Sequence, residues 1–186
     1  MKRVIAFSFL CLVIFWLLCS RRVRGNDMAQ TLYDGDIITI LPLTPKEGDI
    51  VVLYDPYDSQ SNKIIRRLIA KSGAIFYDRN GTVHRNGKRL SQKDMGQQKQ
   101  KRVIEERMDV DDGTRKWLIL RIDEPMHLDF AEQMIDVDGV YLLADNRDEG
   151  LDSRFWGTVP KEKIIGVVVM RIGVSDTWKG WISLFI

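Results

Sequence analysis

Beyond residue 24 the chain is a succession of short apolar, β-branched runs, each bounded by Gly, Asp, Asn or Pro. That punctuation leaves little room for anything except a many-stranded β domain. Strands are expected over residues 37–41, 50–54, 64–69, 117–122, 140–143 and 164–172. Asp34-Gly35-Asp36 and Glu47-Gly48-Asp49 each precede a run. Arg79-Asn80-Gly81-Thr82 and Arg85-Asn86-Gly87-Lys88 suit tight hairpins, because Asn and Gly tolerate the positive φ that primed turns require. No amphipathic helix of ordinary length stands out in this part of the chain. Over residues 91–116 the composition turns to Lys, Gln, Arg, Glu and Asp, with few apolar residues beyond Met95, Val103, Ile104 and Met108. Too little apolar surface is available there to offset ordering entropy, so a solvated excursion or hairpin is expected of this polar insertion, with a partner-specific arm as the alternative.

The N-terminus is of a different kind. Met1-Lys2-Arg3 precedes an apolar run over residues 4–19, and Arg21, Arg22 and Arg24 close it. A run of about 16 residues is shorter than the ~20 that cross a bilayer upright, which also suits a signal-peptide core. Cys19-Ser20 leads straight into the arginines, however, and offers no small-residue cleavage site. Residues 1–24 are therefore expected to be a cytoplasmic tip, an uncleaved transmembrane helix and its basic flank, and residues 25–186 one globular domain. Positive charge at both ends leaves the orientation open. Both cysteines, Cys11 and Cys19, lie in the apolar run, so the domain has no disulfide to form. Five of the basic residues belong to the N-terminal segment, leaving 23 Lys and Arg against 26 Asp and Glu. A mildly acidic body argues against a nucleic-acid groove. His84 and His127 sit in no metal-ligand spacing and there is no glycine-rich phosphate loop, so neither metal nor cofactor is expected.

Two segments about 120 residues apart carry the functional information: Asn26-Asp27-Met28-Ala29-Gln30-Thr31-Leu32-Tyr33-Asp34-Gly35-Asp36, and Asp145-Asn146-Arg147-Asp148-Glu149-Gly150-Leu151-Asp152-Ser153-Arg154-Phe155-Trp156-Gly157. The second resembles the last conserved box of type I signal peptidases, Gly-Asp-Asn-Arg-Asp…Asp-Ser-Arg-Tyr-Trp-Gly. The first resembles their Ser-Met-x-Pro-Thr-Leu nucleophile box. Gly48-Asp49-Ile50-Val51-Val52 is similar to the strand that follows that box, and Ile65-Arg66-Arg67-Leu68-Ile69 to the lysine box, Lys-Arg-Val-Ile. The resemblance implies a mainly β, LexA-like signal peptidase fold with one N-terminal transmembrane helix. It also implies a single-pass plasma-membrane protein with its globular domain outside the cytoplasm.

The resemblance is broken where the chemistry lies. The family attacks with serine and uses a neutral lysine as general base; here Asp27 stands at the nucleophile position and Arg66 at the base position. A lysine can lose its proton when burial lowers its pKa, whereas a guanidinium stays protonated at working pH. Asp27 is a weak nucleophile toward an amide and has no base to help it, so both residues are expected to be non-catalytic. They are expected to be neighbours, joined by a charge-assisted hydrogen bond. Gly25 and Gly150 stand where the family often places hydroxyls that stabilise the oxyanion and orient the lysine, so recovery of activity is expected to need serine at both. Met28, Arg67, Asp145, Arg147, Asp152, Ser153 and Arg154 keep the family's residue types, and a hydrogen-bonded brace beneath the site is expected of them.

A kept scaffold with a lost reaction centre implies action by binding. The family reads its substrate as an extended chain along strand-like main-chain contacts. The partners expected are a preprotein or pilin precursor in extended form, the lipid membrane and sortase machinery, as in the signal-peptidase-like pilus-assembly accessory proteins of Gram-positive bacteria that the Asp27 replacement resembles. The rival from the enzyme class is a working signal peptidase built around Asp27. A third reading is a regulator that competes with an active peptidase for preproteins. The aromatic tail, with Trp178, Trp181, Leu184, Phe185 and Ile186, suits either packing on the β domain or burial at the membrane interface.

Overall fold

The computed structural model describes residues 2–58, 60–122, 129–173 and 182–184. His127 lies outside the described residues, as do Trp178, Trp181, Phe185 and Ile186 of the aromatic tail. In chain order the elements are α1 (Lys2–Cys19), β1 (Ser20–Arg22), β2 (Ile37–Leu41), β3 (Ile50–Tyr54), β4 (Lys63–Lys71), β5 (Ile75–Arg79), β6 (Thr82–Arg85), β7 (Lys88–Arg89), β8 (Ser91–Gln98), β9 (Lys101–Val110), β10 (Gly113–Ile122), β11 (Phe130–Met134), β12 (Gly139–Leu143), α2 (Ser153–Trp156), β13 (Val159–Pro160), a single 3-10 turn at Lys161–Lys163, β14 (Ile164–Ile172) and β15 (Ile182–Leu184). Among the described residues no helix is long and apolar enough to cross a membrane. The 18-residue α1 is about 27 Å long at 1.5 Å per residue.

Each expected strand falls within an observed one. The largest sheet runs β1-β2-β14-β3-β4-β12-β13, with β15 also on β14; a second runs β10-β9-β8 and a third β11-β5-β6-β7. Every strand pairing is antiparallel. The two Asn-Gly pairs make the turns β5–β6 and β6–β7, with Asn80, Gly81, Asn86 and Gly87 all at positive φ, as primed hairpin turns require. The large sheet buries both of its faces, which explains why β3 reads as an unbroken apolar run. Ile50 and Val52 pack on one side with Val23, Met28, Leu32 and Ile38; Val51 and Leu53 pack on the other with Leu68, Leu142 and Val167.

The polar stretch 91–116 is a hairpin, exposed along most of β8 but not solvated throughout, since β9 buries one face. It forms β8, β9 and the start of β10, ten residues of β9 pairing with ten of β10. One face of this hairpin supplies Ile104, Met108, Trp117 and Ile119 to a core shared with Phe76, Val83, Tyr141 and Leu143. The period-two pattern is present at 104, 106 and 108, but the middle position is Glu106, which disguises the buried face as a polar one. Glu106 is fully buried. Its carboxylate receives both guanidinium Nη groups of Arg147 and the indole N–H of Trp117 at 3.2 Å.

Glu106→Ala leaves the Arg147 guanidinium buried without its counter-charge, and breaking one partner of a buried pair costs about 3–5 kcal/mol. Urea unfolding of the variant should show a loss of that size, with Glu106→Gln losing less because it still accepts a hydrogen bond. A loss below about 1 kcal/mol for the alanine variant would mean the hairpin is only peripheral.

Candidate functional site

Three pieces of chain meet at the site: the turn after β1, the middle of β4 and the loop after β12. The turn is held by reciprocal backbone bonds between Val23 and Asp36 and between Gly35 and Val23 (2.8 and 3.0 Å). It is wound tight by Thr31 and Leu32 N–H groups on the Met28 carbonyl. Met28 and Leu32 point into the core, which turns Asp27 outward with its side chain 49% exposed. The backbone of Asp27 is fixed from the other side, its carbonyl accepting from Asn146 N–H at 2.9 Å.

Adjacent arginines on β4 then take separate tasks. Arg67 grips Asp145 with two parallel bonds, Nε to Oδ1 at 2.9 Å and Nη2 to Oδ2 at 2.6 Å. It also reaches the Gly48 carbonyl through Nη1 and the Thr31 hydroxyl through Nη2, while Thr31 itself donates to Asp145 at 2.5 Å. One guanidinium and one carboxylate thus tie all three segments together. Arg66 turns to Asp27. Its Nη2 donates to Asp27 Oδ2 at 2.7 Å, its Nε to the Leu151 carbonyl at 2.8 Å and its Nη1 to the Ile65 carbonyl at 2.6 Å. The Trp156 ring lies 5.5 Å from the guanidinium carbon, within cation–π range.

The loop after β12 makes the brace. Asp152 caps α2 and accepts from Ala144 N–H, Arg154 N–H and the Arg154 guanidinium. Arg154 also donates to the Arg147 carbonyl at 2.5 Å. Ser153 is fully buried, with Oγ accepting from Leu142 N–H at 3.0 Å, a position inside the scaffold rather than on the cleft. A latch that local sequence gives no sign of joins the β8–β9 tip to the same region. Lys101 pairs with Glu149 at 2.6 Å, Glu149 accepts from Asn146 at 2.8 Å, and Gln30 donates to Gln98. Lys101 and then Asn146 hold the Glu149 carboxyl below its ordinary range. A depressed carboxylate favours the latch above the ordinary Glu range, and the latch is released as pH falls through the depressed value.

The family model for signal peptidase, peptidase S26, matches residues 1–173. The chain belongs to that signal peptidase family. Among curated relatives, the protein named Probable signal peptidase I-1 of Synechocystis sp. is 25% identical, covering 94% of this chain and 81% of its own. Signal peptidase IB of Staphylococcus aureus is 22% identical, covering 94% and 88%. A crystal structure of a signal peptidase I from Enterococcus faecalis matches 69% of this chain and 100% of its own at 21% identity, with a TM-score of 0.45.

Within this signal peptidase scaffold the two glycines behave differently from what the resemblance suggests. A Cβ on Gly150 would run into the Ala144 Cβ and sit 3.1 Å from the Asn146 carbonyl oxygen. Gly150 is there because two backbones approach closely, so a serine at that position cannot serve as a simple restoration. Gly25 has open space around it but holds φ at +83°, with its N–H on Asp34 at 2.9 Å, a conformation that strains any L side chain. Gly150→Ser should therefore lower stability by about 1–3 kcal/mol through overpacking, read as a drop in Tm. Adding it and Gly25→Ser to Asp27→Ser with Arg66→Lys should yield less folded protein and no more cleavage than the double variant. A quadruple variant that is both stable and more active would contradict this steric account.

Proposed function

We infer that this signal peptidase homologue is anchored in the plasma membrane by its N-terminal segment, with its β domain outside the cytoplasm, and holds preproteins in extended form without cleaving them. Pilin precursors are the clients, handed on to sortase machinery for surface polymerisation. The observation that carries the reading is the 2.7 Å contact between Arg66 and Asp27, at the positions matching the family's base and nucleophile. A guanidinium bonded to a carboxylate and two carbonyls can neither accept a proton nor leave that carboxylate free to attack. The brace of Asp145, Arg147, Asp152, Ser153 and Arg154 supports the other half of the reading, since it preserves the frame on which an extended chain would lie.

The competing reading is an active type I signal peptidase that removes signal peptides from secreted preproteins. It draws on the names of the relatives and on the half-exposed Asp27 carboxylate. The two part company over what Asp27 does. In the source bacterium, deletion should remove the high-molecular-weight surface-polymer ladders seen by immunoblot, and complementation with Asp27→Ala should restore them. Arg147→Ala, which breaks the brace, should not. Normal ladders in the deletion strain would remove the pilus role, and failure of a folded Asp27→Ala to complement would put Asp27 itself at the centre of function.

A further inference from the structure

The two partners of the Arg66–Asp27 pair are held very differently. Arg66 is 3% exposed, and its Nε and Nη1 are fixed on the Leu151 and Ile65 carbonyls, so two of its three nitrogens are held without Asp27. The Asp27 side chain is 49% exposed and, among the described residues, is bonded to Arg66 through Oδ2 alone. Arg67, by contrast, grips Asp145 with two bonds inside the protein. A half-exposed pair joined by one bond adds little stability, because the freed carboxylate regains its water. The Asp27 backbone is anchored separately, by the Asn146 N–H on its carbonyl. Release of the carboxylate is therefore a turn of one side chain between rotamers, with the surrounding chain left in place.

That turn uncovers a cationic donor. Among the described residues Asp27 is the one carboxylate paired with Arg66, and its departure opens Nη2 onto the surface that the half-exposed side chain had covered. Two large apolar side chains stand in water beside it. Leu151, whose carbonyl takes Arg66 Nε, is 58% exposed, and Tyr57, whose hydroxyl donates to the Trp156 carbonyl, is 70% exposed. The Trp156 ring lies 5.5 Å from the Arg66 guanidinium carbon and 6.2 Å from the Tyr57 ring. A guanidinium beside an exposed apolar rim suits a ligand that brings apolar contacts around one carboxylate.

We propose that Arg66 is a carboxylate-binding site which Asp27 occupies in the free protein, and that a client peptide binds by placing a carboxylate of its own there. The Asp27 side chain is the stand-in: its contact at 2.7 Å shows that a carboxylate fits, and its exposure shows that the place can be reached from outside. Once displaced, Asp27 turns into water, where solvent and salt screen it from the incoming charge. As an internal competitor it lowers the apparent affinity by the fraction of molecules in which it is seated, so its removal tightens binding. The inference rests on the reading of the protein as a holder of extended chains, and adds that the chains it holds present a carboxylate opposite Arg66. An acidic side chain and a free C-terminus offer the same chemistry.

Fluorescence anisotropy of the full-length protein in detergent tests this with three extended peptides: one with a single internal Asp and an amidated end, its Asn twin, also amidated, and that Asn twin with a free C-terminus. Asp27→Ala should bind one of the two carboxylate peptides about ten-fold tighter than wild type does, and which one gains identifies the source. The amidated Asn twin should bind both proteins alike, and Arg66→Gln added to Asp27→Ala should remove the gain. Asp27→Asn, which keeps an acceptor without the charge, should gain less in the same order, and carries the test if Asp27→Ala fails to fold. Equal gains for all three peptides, or no gain for any that binds, would overturn the client carboxylate. In a parallel arm sodium acetate is compared with sodium chloride at equal ionic strength by thermal shift. Acetate should raise the Tm of the Asp27 variants, but not that of wild type or of the variants that also carry Arg66→Gln. If no peptide binds any form, the holding role fails while this arm alone decides whether Arg66 takes a carboxylate; no acetate shift in a folded Asp27 variant overturns the site itself.

Discussion

The bidentate contact between Arg67 and Asp145 is the interaction on which the site depends, because with the Thr31 hydroxyl that both groups share it joins the turn after β1, strand β4 and the loop after β12 beneath the Arg66–Asp27 pair. Both groups are buried, so neither can fall back on water if the other is lost. Buried pairs add little net stability of their own, yet removing one partner is expensive. Such a contact constrains geometry more than it adds free energy. Around it the same pattern repeats with Arg147 and Glu106, Arg154 and Asp152, and Arg121 and Asp148. Each pair ties a different stretch of chain to the loop over residues 144–154 or caps it from within.

On this frame Arg66, at the position matching the family's base, is structurally mild. The guanidinium finds two carbonyls, a carboxylate and an indole face, and β4 keeps its register with β3 from Lys63 to Arg67. The site is therefore filled rather than collapsed. Asp27 remains half-exposed, and the β8–β9 tip leans against its turn through Gln98 and against the loop after β12 through Lys101. This filled site is what the proposed role in holding a chain without cutting it requires.

Much of this was legible in the sequence, and what was missed has physical reasons. Strands such as β3 and β14 announced themselves because runs of β-branched residues buried on both faces have no other home. Asp27 and Arg66 could be placed together because the segments around them are typed for a site whose chemistry demands contact. Glu106 escaped because a buried carboxylate looks like surface until its partner, 41 residues away, is known. Gly150 was misjudged because a missing hydroxyl and a missing Cβ look identical in sequence, and only the closeness of Ala144 distinguishes them.

The central claim is that the Arg66–Asp27 pair leaves a folded signal peptidase scaffold without peptidase chemistry. Single-turnover incubation tests it most directly, with purified full-length protein in excess over a preprotein carrying an Ala-x-Ala site, read by mass spectrometry from pH 6 to 10. The account predicts intact preprotein throughout, because a guanidinium does not release its proton anywhere in that range. Specific cleavage after the Ala-x-Ala site, abolished by Asp27→Ala in a protein that still folds, would contradict it.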